Sequence, residues 1–313
     1  MRDITVFSGT AHPELAREIC ALLQVPLEPV RLRRFANDCL DVQLQANCRE
    51  RDVFLIQPVV PPVQEHLVEL LMMADAARGA SAARVTVVMS HYAYARSDKK
   101  DEPRISIGGR LVADLLVAAG ASRVLTMTLH SPQVHGFFSV PVDHLHALRE
   151  LAAHFRGSDL ANTVVVSPDL GHAKSATAFA RRLGLPVAAA AKERHSDTSV
   201  TITSIIGDVT GRNVIILDDE IARGTTIDEL LAWLAERGVG SVRVACTHGL
   251  FCHGALDRLA ARPEVAEIVC TNTVPVPADA YPGKLRVISV APALAEAIRR
   301  IHGGESVSAL FAP

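Results

Sequence analysis

Asp218 and Asp219 stand side by side at the end of the apolar run Val214, Ile215, Ile216 and Leu217, and Arg223, Gly224, Thr225 and Thr226 follow shortly after. Adjacent carboxylates can accept hydrogen bonds from vicinal hydroxyls or help to hold a hard divalent cation such as Mg²⁺. Gly224 can take a positive φ that turns bare backbone N–H groups toward a ligand. The start of a helix adds its dipole and makes an anion site. Acids beside an anion cradle suit a phosphorylated sugar. A plain strand–turn–helix connection with solvent-facing aspartates has the same local spelling, so this stretch alone leaves both readings open.

The run 214–217 predicts a buried parallel strand that ends at Asp218, with ligands bound beyond its carboxyl end. Thr226 and Glu229 have capping-box spacing, which predicts Thr226 as the N-cap of the next helix. In that helix Ile227, Leu230, Leu231 and Leu234 mark one face, and Gly238 fits a stop. The same alternation runs through the chain. "ITVFSG", "DVFLIQ", "RVTVVMS" and "RVLTMTLH" read as buried strands of the first half, and "NTVVVSPD", "PVAAAA", "NVIILDD", "SVRVACTHG" and "EIVCTN" of the second. Helical patterns such as "PELAREICALL" and "GGRLVADLLVAAG" lie between them. This order predicts an α/β protein with mainly parallel sheets flanked by helices. Two such units are expected, joined near residues 141–160, with spans 1–145 and 146–313. "KERHSDTS", residues 192–199, is polar and short of helix or strand signals, and predicts a mobile site loop.

The totals agree with a two-domain globular chain. It has 313 residues, nearly half of them apolar, and a formal net charge of -2. That balance argues against a nucleic-acid surface. No apolar stretch approaches the roughly 18 residues needed to cross a bilayer, and the opening "MRDITVFSG" has no signal-peptide core. Cys20, Cys39, Cys48, Cys246, Cys252 and Cys270 are scattered in mostly apolar surroundings, which fits a reduced cytoplasmic protein. "CTHGLFCH" brings Cys246, His248, Cys252 and His253 close in sequence, but their spacing fits no common structural zinc pattern.

The opening stretch resembles the phosphoribosyl pyrophosphate motif of type I phosphoribosyltransferases and ribose-phosphate diphosphokinases. The diphosphokinase family is matched along almost the whole chain. "FSGTAHPELAREI", the block from "QPVVPPVQEH" to "YARSDKKDEPR", "LTMTLHSPQVHGFFSVPVDHL", "VVVSPDLGHAKSA" and "VISVAPALAEAIRRIHGGESVSALF" occur in family order. The resemblance implies two similar phosphoribosyltransferase-like domains. It also implies transfer of a diphosphoryl group from MgATP to the C1 hydroxyl of ribose 5-phosphate, giving phosphoribosyl pyrophosphate and AMP. Homo-oligomers, dimers or hexamers built from them, are implied as well.

By the same resemblance, His130 and Asp169 match the metal positions for Mg²⁺. Phe35, Asn37 and Cys39 match the element that reaches adenine, and Arg96, Ser97, Asp98 and Lys99 lie in the ATP motif. Lys192 and Arg194 match the catalytic lysine and arginine. Asp218 and Asp219 would face the ribose hydroxyls, and Ala222, Arg223, Gly224, Thr225 and Thr226 would hold the 5-phosphate. Taken singly, His130 could be a core histidine, and Lys192, Arg194, Arg96 and Lys99 could be solvated charges.

The chain also departs from the family pattern. The usual Asp-Thr-Gly-Gly-Thr phosphate loop is Ala222 to Thr226 here, so a carboxylate is lost and a cation enters. Asn37 and Cys39 replace two acids, which predicts weaker adenine selectivity. Ser97 stands for glutamine, Thr128 for aspartate and Glu193 for a basic residue. Two other classes therefore stay open: a non-catalytic regulatory relative, and a base-linked phosphoribosyltransferase.

Overall fold

The computed structural model describes residues 3–196, 199–277 and 279–310. The chain divides into two compact units, one made of residues up to His146 together with those from Val290 on, the other of Ala147–Ser289. Unit 1 begins β1 (Ile4–Ser8), α1 (Pro13–Leu23), β2 (Leu27–Glu28), β3 (Val30–Arg34), β4 (Leu40–Leu44) and β5 (Asp52–Ile56). It continues α2 (Val63–Gly79), β6 (Arg84–Met89), α3 (Gly108–Ala119), β7 (Arg123–Met127) and β8 (Val142–Leu145). Its sheet runs β2-β1-β5-β6-β7-β8 with every pairing parallel. β5, "DVFLI", is buried along its whole length, as a strand covered on both faces must be. β3 and β4 form a separate antiparallel hairpin that the sequence reading did not foresee. No residue of either strand is fully buried, and each alternates polar with aliphatic residues, arginine in β3 and aspartate and glutamine in β4, so no continuous apolar run announces them.

Unit 2 contains α4 (Leu148–Phe155), β9 (Thr163–Ser167), α5 (Ala173–Leu183), β10 (Val187–Ser196), β11 (Ser199–Ile206), β12 (Asn213–Ile221) and α6 (Thr225–Ala235). β13 (Val242–Gly249), α7 (Ala255–Ala261), β14 (Val265–Thr271) and β15 (Leu285–Ile288) complete it. The sheet order is β11-β10-β9-β12-β13-β14-β15, with only the β10–β11 pairing antiparallel. Val164, Val166, Ile216, Val244 and Ile268 meet Leu230, Leu231 and Leu234 of α6 in one core. On the other face Val165, Ile215, Leu217 and Val269 meet Phe155 and Phe179.

The hairpin β10–β11 corrects the reading of residues 192–199 as an irregular loop. Lys192, Glu193 and Arg194 lie within β10 and pair with residues of β11. The missed signal was "SVTITSII", whose alternation of β-branched and polar residues supplies a partner strand. Asp197 and Thr198 lie outside the described residues.

The last helix, α8 (Ala291–Gly303), packs on α1 within unit 1, although the sequence reading put this segment in the second span. It buries Leu294, Ile298 and Ile301. A charged cluster fixes its end. Asp52, fully buried at the start of β5, accepts a hydrogen bond from Arg84 at the start of β6 and lies 2.9 Å from His302 Nδ1 of α8. No helix among the described residues is long and apolar enough to cross a membrane.

Candidate functional site

β12 does not end at Asp218. It continues to Ile221, because β13 keeps pace beside it, with Glu220 opposite His248 and Ile221 opposite Gly249. Asp218 is half-buried and Asp219 buried near the carboxyl end of this strand. Asp218 Oδ1 accepts the Asp219 backbone N–H at 2.9 Å. Burial pushes the Asp218 carboxyl well above the ordinary carboxylate range, and the neighbouring Asp219 adds to the shift.

The turn from β9 into α5 contributes the next groups. Ser167 Oγ donates to the Asp169 carbonyl at 2.7 Å and closes the turn. Asp169 Oδ1 then accepts the His172 backbone N–H at 2.9 Å and lies 3.1 Å from His172 Nδ1. His172 Nε2 lies 3.1 Å from Asp219 Oδ1. Carboxyl oxygens beside both ring nitrogens favour the protonated form of the imidazole. Burial alone would lower the His172 pKa, but the hydrogen bonds to Asp169 and Asp219 and the charges of Asp219 and Asp218 raise it to about 11. Lys192 Nζ reaches Asp169 Oδ2 at 2.6 Å, both side chains about one-fifth exposed. Burial would raise the Asp169 carboxyl, yet the hydrogen bonds of His172 and Lys192 outweigh it and hold the group well below its usual value.

Thus unit 2 gathers three carboxylates, Asp169, Asp218 and Asp219, around two cations, His172 and Lys192. Asp169, Lys192, Asp218 and Asp219 were singled out from sequence. His172 was not, although a histidine three residues after Asp169 in the same strand-to-helix turn was a readable signal. The Arg194 side chain lies outside the described residues.

After β12 the chain turns through Ala222 and an exposed Arg223 to Gly224, which has φ 75° and ψ 4°. Gly224, not Thr226, is the N-cap of α6, and Thr225 and Thr226 form its first turn. A left-handed cap fits glycine because it lacks a Cβ, and it displaces the expected capping box by two residues. The first N–H groups of a helix have no partner within it, so they are available to an anion.

The remaining sequence candidates belong to unit 1. Phe35, Asn37 and Cys39 sit at the β3–β4 turn, where Asn37 Oδ1 accepts the Cys39 N–H at 3.3 Å. Arg96 ends a short 3₁₀ segment after β6. Ser97 Oγ accepts the Gly108 N–H at 2.8 Å, and Asp98 accepts the hydroxyl of Ser131. Lys99 pairs with Asp101 at 3.1 Å. Half-buried His130 follows β7, two residues after Thr128, whose φ of 43° is unusual for a β-branched residue. Among the described residues, Cys246, His248, Cys252 and His253 form no metal-binding cluster. His248 Nδ1 instead lies 2.8 Å from Thr273 Oγ1 in the core.

Two α/β units with mainly parallel sheets, one with an acid pair on a central strand and a glycine-capped helix after it, define a phosphoribosyltransferase-like protein. Residues 4–120 match the model for the N-terminal domain of ribose phosphate pyrophosphokinase, and residues 198–312 that of the phosphoribosyl synthetase-associated domain. A protein of Streptomyces coelicolor is 75% identical over 99% of this chain and 98% of its own. The ribose-phosphate pyrophosphokinase of Deinococcus radiodurans is 51% identical over 98% of each chain. The crystal structure of phosphoribosylpyrophosphate synthetase from Mycobacterium smegmatis superimposes with a TM-score of 0.89 at 38% identity, covering 97% of this chain and all of that one. The chain belongs to the ribose-phosphate pyrophosphokinase family.

Proposed function

We propose that this protein is a ribose-phosphate diphosphokinase. It moves the β,γ-diphosphoryl group of ATP to the C1 hydroxyl of ribose 5-phosphate, giving phosphoribosyl pyrophosphate and AMP. One observation carries the reading: in a member of this family, matched over 98% of the chain, β12 delivers Asp218 and Asp219 just ahead of a helix start capped by Gly224. The carboxylates accept hydrogen bonds from vicinal ribose hydroxyls. Ala222, Arg223, Gly224, Thr225 and Thr226 receive the 5-phosphate on backbone N–H groups and hydroxyls. In unit 1, Phe35, Asn37 and Cys39 face the adenine, and Arg96, Ser97, Asp98 and Lys99 the rest of ATP.

The C1 hydroxyl oxygen bonds to the β-phosphorus and releases its proton to solvent as the bond from that phosphorus to the α,β-bridging oxygen breaks and AMP leaves. The protein's task is alignment and charge neutralisation. Lys192 and Arg194 supply fixed cations to the transferring group. Mg²⁺, which offsets phosphate charge when bound, would be held by Asp169 and His130. The donor chemistry of unit 2 fits it, because Asp169 is held ionised and carboxylate oxygens are hard ligands. We place the enzyme in the cytoplasm as a homo-oligomer. Exposed Leu111 and Leu115, one turn apart on α3, and Val68 on α2 support a covered apolar face.

Incubation with ribose 5-phosphate, ATP and Mg²⁺ should release AMP and phosphoribosyl pyrophosphate in equal amounts. ADP release, or no turnover, rejects the diphosphokinase and favours the regulatory relative. Arg223 gives a sharper test. It is exposed and has no carboxylate partner among the described residues, so its guanidinium can fold onto a phosphate as a charge-assisted pair. Arg223→Ala is expected to raise KM for ribose 5-phosphate about tenfold, roughly 1.4 kcal/mol, with KM for ATP unchanged. An unchanged sugar-phosphate KM rejects that role.

A further inference from the structure

We propose that Arg258 is a positioning residue that sets the orientation of the Arg223–Gly224 peptide for phosphate binding. The inference rests on the reading of residues 222–226 as the phosphate loop. Arg258 lies on α7 and donates in three directions. Its Nη2 donates to the Arg223 carbonyl, Nη1 to the His253 carbonyl at 2.8 Å, and Nε to Asp228 Oδ2 at 3.2 Å. One planar guanidinium therefore joins the loop, the segment entering α7 and the first turn of α6. A lysine ammonium has no such fork.

The neighbourhood is built to match. Arg262, the residue just after α7, donates to the Asp228 carbonyl at 2.9 Å. A Cβ added to Gly224 would meet the Ala255 Cβ at 3.3 Å and Arg258 Nη2 at 3.8 Å, so the start of α7 forms a wall behind the loop. The Phe251 N–H donates to the Ile221 carbonyl at 2.9 Å and joins the two segments again.

The consequence follows from peptide geometry. In a trans peptide the C=O and the following N–H point in opposite directions. Drawing the Arg223 oxygen toward α7 turns the Gly224 N–H away from it, to the open face of the loop. Each Arg258 nitrogen already donates to protein, and the contact with the Arg223 carbonyl lets the residue act through the peptide. A purely structural role is the weaker account. The Arg258–Asp228 side chains are 44% and 27% exposed, and an ion pair that accessible adds little stability.

The test is titration of ribose 5-phosphate and, separately, of ATP into the full-length protein by calorimetry. Arg258→Ala should weaken ribose 5-phosphate binding about tenfold and leave ATP binding within twofold of wild type. Arg258→Lys should recover part of the loss. The loss should persist in an Arg223→Ala background, since the contact is with the carbonyl and not the Arg223 side chain. Ribose 5-phosphate affinity within twofold of wild type, or an equal loss for both ligands, overturns the proposal. If Arg258→Ala does not fold, Arg258→Lys carries the same comparison and must still show a ligand-specific loss. Failure of the wild-type protein to bind ribose 5-phosphate has a different meaning. It removes the phosphate-loop reading itself, before any variant is compared.

Discussion

Lys192→Ala is expected to lower kcat by about 10²-fold or more, with modest changes in KM for either substrate. A cation that meets the diphosphoryl group mainly as charge develops lowers the barrier without contributing equally to ground-state binding. Its ammonium sits on Asp169 at 2.6 Å. The same lysine could therefore serve only to neutralise that carboxylate, and the two roles separate experimentally. A neutralising lysine competes with a divalent cation for Asp169, so its removal would lower the Mg²⁺ concentration needed for activity and leave kcat near normal. A transferring-group lysine gives the large loss in kcat even at saturating Mg²⁺. The melting temperature should fall little, because Asp169 keeps both His172 contacts. Near-normal kcat at saturating Mg²⁺ would reject the catalytic role.

Arg84→Met should destabilise unit 1 by about 3 kcal/mol. Asp52 is fully buried, and its Oδ1 has no hydrogen-bond partner among the described residues. Its Oδ2 depends on Arg84 and His302. Methionine fills the volume of the arginine stem but leaves the carboxylate with His302 alone, and an uncompensated buried charge is the costly case. At this unit's size the thermal midpoint should drop by roughly 5–10 °C. The exposed pair Arg110–Asp114, with side chains 57% and 53% accessible, is the control: Asp114→Asn should change stability by less than about 1 kcal/mol. A loss of that small size for Arg84→Met would show that His302 and solvent suffice for Asp52.

Apolar runs made much of this architecture legible before any coordinates. β5, β6, β7, β9, β12, β13 and β14 are mostly buried strands built on short runs of apolar and β-branched residues, and such runs between helical patterns have few other folded solutions. The acid pair near the end of β12, Asp169 after β9 and the glycine before α6 were equally visible, because strand ends and helix starts carry local chemical signatures.

Other features depend on partners distant in sequence, and only the tertiary structure decided them. The length of β12 follows from β13 running beside it, and Gly224 caps α6 because the start of α7 is packed against the loop. Lys192 lies on a strand because β11 pairs with it, and it meets Asp169 across the β9–β10 edge. The His172 pKa is raised because the fold brings Asp219 to its far nitrogen, 47 positions along the chain. α8 rejoins unit 1 because Asp52 and α1 are there to receive it, 250 residues from His302. Local propensity determines which segments become strands and helices. Side-chain charge states and loop geometry are set by contacts that form only when those segments pack.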